Sequence, residues 1–271
     1  MCRSLYRFLM AIICTAVLSL GSGCAYRYQE DPKEIFQRAL TGLAGKEEMM
    51  FRGKAAIRTD DHGLFDTEYQ YSGTLKNHNE VVIESYLSPK SPSSTDTKTR
   101  SLTLKRVNKE WKAESLDGTK PPLARWNPVA QLEAIEQTKN KTFRTEYGVP
   151  RGKQMIRIEL EGEEAVMYLS NQLEEEMQEL QSELPALTST VPNDKRSKCL
   201  KELNTLYEQQ KSQLEDYLTR AQATLVYHLL IDKRTNLPLR LSSESEIRYE
   251  EAEGAPKKEL LVTDVYFDHY K

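Results

Sequence analysis

The chain has 271 residues, with 38 Lys and Arg against 41 Asp and Glu and a net charge of −3, and this mildly acidic surface without a basic face argues against a nucleic-acid partner. With 38% hydrophobic residues at this length, it can fill a core as one large or two small domains without cross-links.

Residues 1–23 read as a cleavable signal. Arg3 and Arg7 form a basic start, and Phe8 to Leu20 is an uncharged apolar run. As a helix that run reaches about 20 Å, short of the roughly 30 Å hydrocarbon core of a bilayer, and its length suits the apolar region of a signal peptide. Gly21-Ser22-Gly23-Cys24 follows at once. Small residues admit an extended backbone to a peptidase, and the Cys24 thiol is the atom that takes a diacylglycerol. The segment resembles the bacterial lipobox, departing from it with Gly21 where Leu is commonest and with Leu20 one step further out. The resemblance implies that Cys24 is lipidated, with palmitate among its acyl groups, and that the protein is anchored to the cell membrane on its extracytoplasmic side. One acyl chain holds only marginally, whereas two or more hold firmly. Cleavage removes Arg3 and Arg7, taking the net charge from −3 to −5. Cys2 and Cys14 leave with the signal and Cys24 is spent on lipid. Cys199 is then left without a disulfide partner.

The expected domain is 24–271. Ala25 to Glu30 is a tether, and Asp31-Pro32-x-Glu34 is a helix start with Asp as N-cap, Pro at the first position and Glu closing a capping box. Ile35, Phe36, Ala39, Leu40 and Leu43 follow at helical spacing, and Gly42 and Gly45 end the helix. Met49, Phe51, Gly53, Ala55 and Ile57 then alternate, as do Phe65, Thr67, Tyr69, Tyr71, Gly73 and Leu75. The turns Asp60–Gly63 and Lys76–Asn79 make these antiparallel hairpins. After a polar loop from Ser88 to Arg100, Leu102, Leu104 and Trp111, Ala113 frame another hairpin, turning near Asn108-Lys109. Past Pro121-Pro122, Asn127-Pro128 opens a short helix through Val129, Leu132 and Ile135, and Met155 to Leu160 is a strand. Val166, Leu169, Leu173, Met177, Leu180 and Leu184 mark one long acidic helix; a loop holding Pro185 and Pro192 ends it, and Leu200, Leu203, Tyr207, Leu214 and Tyr217 mark a second. Two such helices pack antiparallel, as an inserted hairpin over about 162–220. Strands resume from Leu225 to Ile231, from Leu237 through Tyr249, and from Leu260 to Phe267.

The hairpins around Phe51-Arg52-Gly53 and Tyr71-Ser72-Gly73, the helix at Asn127-Pro128 and the late Leu230-Ile231-Asp232-x-x-Thr235-x-Leu237-Pro238 resemble the LolA/LolB-like superfamily of lipoprotein carriers and related envelope lipoproteins. The resemblance covers roughly 31–160 and 223–268. It implies an α+β fold: a curved antiparallel β-sheet, or half-barrel, with a leading helix, a short covering helix and an apolar cavity beneath. The inserted helical hairpin is a departure from that minimal fold and bears on whether lipoprotein transfer is the activity.

Chemistry-bearing motifs are scarce. His62, His78, His228 and His269 lack partners at metal-ligand spacing, and Asp60-Asp61-His62 with Gly63 is a hydrophilic turn. No serine elbow, P-loop or dinucleotide loop is present. Glu174-Glu175-Glu176 reads as a solvated helix face, and Cys199 has no designated base. A non-enzymatic protein without cofactor or metal is expected. It binds an apolar ligand such as a lipid or acyl chain, or a lipidated envelope protein. Phe51, Ala55, Ile57, Phe65, Tyr69 and Tyr71 are the candidates to line the cavity. The alternative is a structural or regulatory module that docks an envelope protein through its helical hairpin.

Overall fold

The computed structural model describes residues 30–59, 65, 67–87, 100–108, 110–114, 126–189, 191–250 and 256–271. The signal at 1–23, Cys24, the tether as far as Gln29, the turn at 60–63, the polar stretch 88–99 and Pro121-Pro122 lie outside these residues. Pro32–Lys271 form one compact unit.

The first element is α1 (Pro32–Ala44), whose apolar face buries Ile35, Phe36, Ala39 and Leu43. Thirteen residues are marginal as an isolated helix. Docking stabilises them, each large side chain contributing roughly 1.5–3 kcal/mol on burial. Five strands follow: β1 (Glu48–Thr59), β2 (Thr67–Lys76), β3 (Glu80–Leu87), β4 (Arg100–Val107) and β5 (Glu110–Glu114). The β2–β3 turn places Asn77 and His78, and the β4–β5 turn Asn108, in the left-handed region, which Asn tolerates better than most residues. Next come α2 (Pro128–Gln137), β6 (Thr142–Glu146), β7 (Lys153–Glu161), α3 (Glu163–Leu187), α4 (Asn193–Arg220), β8 (Gln222–Asp232), β9 (Pro238–Glu250) and β10 (Pro256–Asp268).

All ten strands belong to one antiparallel sheet in the order β5-β4-β3-β2-β1-β10-β9-β8-β7-β6. The sheet does not close between β5 and β6, which makes the fold an α+β half-barrel. Period-2 burial runs along β1, β7 and β8. One continuous core joins the inner face of the sheet to Phe36 of α1, Leu132 of α2 and Ala165 of α3.

Several local details differ from the sequence expectation. β6 is a strand that the residue pattern did not announce, because five residues give too short an alternation. Phe143 nevertheless packs on Phe36 with ring centroids 5.5 Å apart. Gly42 lies inside α1 rather than ending it, and only Gly45 follows the helix. A Cβ at Gly42 would stand 3.1 Å from the Asn236 carbonyl oxygen, so a small residue is needed where α1 crosses the β8–β9 turn. Pro185 lies within α3 and not in the loop. The last turn survives it because Thr188 donates through its backbone N–H to the Leu184 carbonyl at 3.3 Å and through its hydroxyl to the Pro185 carbonyl at 2.9 Å. The hairpin of α3 and α4 stands between β7 and β8, which are neighbours in the sheet.

The Asp232 to Pro238 motif has a clear local cause. Asp232 accepts from the backbone N–H of Arg234 and of Thr235, both at 2.9 Å, and from the Thr235 hydroxyl at 3.1 Å. These bonds, led by the Thr235 N–H, hold its carboxyl below the usual carboxylate range. Asn236 takes φ 56°, and the chain turns directly into β9.

Candidate functional site

The inner face of β1 and β2 carries most of the side chains expected to line a cavity. Phe51, Ala55 and Tyr71 are buried there, with Ile57 and Tyr69 half-buried beside them. Phe65 is apart from this set. It precedes β2, is 36% exposed, and lies beneath the Arg58 guanidinium at 5.8 Å.

Two glycines shape this face. Gly53 pairs with Tyr71 and Gly73 with Phe51 across the β1–β2 ladder. The Tyr71 ring occupies the space that a Cβ on Gly53 would need, at 2.4 Å, and the Phe51 ring does the same at Gly73, at 2.3 Å. Each aromatic ring therefore lies down over the neighbouring strand instead of standing up from the sheet. That posture brings Tyr71 beneath Trp126, with the rings stacked at 5.1 Å and 20°. Tyr69 meets the same indole at 4.9 Å and 50°.

Trp126 immediately precedes the cap of α2. Asn127 accepts from the backbone N–H of Val129 at 3.1 Å and of Ala130 at 3.4 Å, the N-cap that its position before Pro128 announces. The helix is then tied down from the far edge of the sheet. Glu133 accepts from the Trp111 indole N–H at 3.1 Å and pairs with Arg106 at 2.8 Å, while Arg106 lies 5.6 Å over the Trp111 ring. Trp126 was not among the sequence candidates. The available signal was its place just before an N-cap, where an apolar side chain commonly fixes the helix entry angle.

The polar chemistry of this face is neutral and incomplete. The Tyr71 hydroxyl and the Asn127 amide nitrogen are buried with no hydrogen-bond partner. Burial pushes the Tyr71 hydroxyl well above its usual range, with the nearby Asp264 charge adding to the rise. Further along the sheet, Ser243 and Thr263 share a hydrogen bond at 2.6 Å. The buried Tyr227 hydroxyl bonds to Tyr168 of α3, which also accepts from Gln172 at 3.3 Å. Toward the Thr59 end of β1 the same face carries Ile57, Ile247 and Leu261, all half-buried. Among the described residues no three His, Cys, Asp or Glu side chains converge as metal ligands do. Hollows on the outer surface of α4, such as that beside Thr205, Glu208 and Asp216, are wide open and partly polar.

No family model matches this chain, and no curated protein matches it in sequence. Among solved structures, LprF from Mycobacterium bovis aligns with 88% of this chain and 92% of its own, at 7% identity and a TM-score of 0.33. The LolA superfamily protein NE2245 from Nitrosomonas europaea aligns with 90% of this chain and 94% of its own, at 10% identity and a TM-score of 0.27. At that distance the functional weight falls on the residues of this chain.

Proposed function

We propose that this chain is a lipid-anchored extracytoplasmic protein whose half-barrel binds an apolar ligand, a lipid or acyl chain or the acylated end of another protein, on its inner face and without catalysis. The observation that carries this reading is the pair of buried, unpartnered polar groups at the aromatic cluster, the Tyr71 hydroxyl and the Asn127 amide. A buried polar group without a partner costs about 1–3 kcal/mol, a cost that a purely structural core of this size would avoid with Phe and with a cap residue such as Ser or Asp that carries no amide donor. The Trp126 indole, carried just before α2 and not by the sheet, covers Tyr71 and Tyr69, and Ile57, Ile247 and Leu261 lie half-buried further along the same face. The expected lipidation of Cys24 places the domain beside a membrane that supplies such ligands.

The test is native mass spectrometry of the purified full chain. Copurified acyl lipid, reduced when Trp126→Ala loosens the cluster, is the expected result. Ligand-free protein that also fails to bind a fluorescent acyl probe removes the reading.

One observation favours the alternative of a protein-docking module. Along the hairpin, Leu180, Leu187 and Leu206 stand about half exposed, and among the described residues of α3 past Tyr168 only Leu184 is a buried apolar side chain. Loss of function on shortening the hairpin, with no lipid bound, decides for that reading.

A further inference from the structure

The registers place a row of small and hydroxyl-bearing residues across the middle of the inner face. Tyr227 pairs with Ser243, Ser243 with Thr263, Thr263 with Ala55, and Ala55 with Tyr69. Directly opposite residues of an antiparallel pair share a face, so these five side chains form one line from β8 to β2. Tyr71 joins them from the next row. Its ring lies over Gly53, and its hydroxyl comes within 2.7 Å of where a Gly53 Cβ would be, which brings it over β1.

Two properties of this line stand out against its surroundings. The line is low at Ala55, Ser243 and Thr263, while the adjoining rows carry Leu229, Leu241 and Val265, with the Tyr71 ring laid over Gly53, on one side and Leu225, Ser245 and Leu261 on the other. The line is also uncharged. On this face every alternating position from Met49 to Ile57, from Leu241 to Ile247 and from Leu261 to Phe267 is neutral. Asp264 is on the opposite face, held by Arg240 at 2.5 and 3.0 Å. Along β9 and β10 charge returns to the inner side toward the rim, at Glu259, which accepts from the Tyr249 hydroxyl at 2.7 Å, and the Arg106–Glu133 pair lies away from the line, at the β4–β5 edge.

A neutral line of hydroxyls with one unpaired member suits a neutral acceptor. A carboxylate would be buried there without a counter-ion, which is strongly unfavourable. A plain hydrocarbon would leave the Tyr71 hydroxyl unsatisfied. An ester or amide carbonyl accepts its hydrogen bond and brings no charge. The geometry points to a ligand that is a neutral acyl ester or amide, its carbonyl over the Ala55–Thr263 pair and bonded to Tyr71, in place of a free fatty acid; this rests on the inner-face binding reading above.

The experiment titrates the full chain with methyl oleate, oleate and octadecane in competition with a fluorescent acyl probe, for wild type and for Tyr71→Phe. Methyl oleate is expected to bind at least tenfold tighter than either of the others. Tyr71→Phe should erase its advantage over octadecane while raising Tm, because an unpaired buried hydroxyl is gone. Ser243→Ala serves as a second variant, lowering the methyl oleate preference without removing the aromatic ring. Equal binding of all three compounds, a preference for oleate, or a preference unchanged in Tyr71→Phe overturns the ester inference and leaves the binding reading intact. A fall in Tm on Tyr71→Phe also overturns it, since the hydroxyl would then be satisfied within the protein. Binding of none of the three overturns the inner-face reading and this inference with it.

Discussion

Gly53 and Gly73 are the residues on which the aromatic cluster depends. With only hydrogen at Cα, each lets the ring opposite fold down over its strand. A side chain at Gly53 collides with Tyr71 at 2.4 Å, and Tyr71 cannot retreat because Trp126 is stacked upon it. Gly53→Val is therefore expected to destabilise the domain by about 1–3 kcal/mol, as overpacking does, measured by urea unfolding. In a Tyr71→Ala background the same substitution should cost clearly less, since the two residues contact each other; an unchanged penalty would place the strain elsewhere. The alternation Met49, Phe51, Gly53, Ala55, Ile57 was legible in the sequence, and so was the face it defines. The laying of Tyr71 over Gly53 was not. It depends on the β1–β2 register, which the pattern of one strand does not carry. The same limit explains Phe65, which continues the alternation of β2 in sequence yet lies outside its ladder.

Capping chemistry reads well from sequence because it is local. Asn127-Pro128 became the expected cap, and Asp232-x-x-Thr235 the expected turn. β6 and the helical Pro185 were missed for different reasons: five residues are too short an alternation to announce β6, which its pairing with β7 fixes, and Pro185 is kept helical by the hydrogen bonds of Thr188, which residue type alone does not announce. The hairpin of α3 and α4 divides in the same way. Its base belongs to the core, with Ala165 buried and Tyr168 bonded to Tyr227, while its outer part buries little beyond Leu184 and Tyr207. Replacing residues 174–211 by a short Gly/Ser link should thus leave a single cooperative thermal transition with Tm lowered by no more than a few degrees. Replacing all of 163–220 should cost far more, by stripping the cover from Tyr227. Differential scanning calorimetry of the two deletions separates these outcomes; equal loss in both would make the whole hairpin part of the core.

For the molecule as a whole, tight turns between alternating runs made the α+β class and the antiparallel sheet legible. The order of the strands was not. Pairing of β1 with β10 joins residues about 200 positions apart, and no local pattern reports such a partner. The proposed anchor belongs to this scale too, since it decides where the half-barrel works. Cys24→Ala is expected to abolish incorporation of labelled palmitate and to leave an uncleaved precursor held by its apolar run. Unchanged label in the variant would sink the anchoring proposal.

The meeting of the first and last strands in the middle of the sheet also governs when the fold can exist. β1–β5 form one meander and β6–β10 another, and only the β10 seam unites them. Until β10 has been synthesised, β1 lacks one of its two partners, and long-range pairing of this kind is intrinsically slow. A bare strand edge invites mispairing while it waits. For a chain exported as proposed, the same delay is useful: a protein whose sheet stays incomplete until β10 has been made stays open to being threaded through a translocation pore.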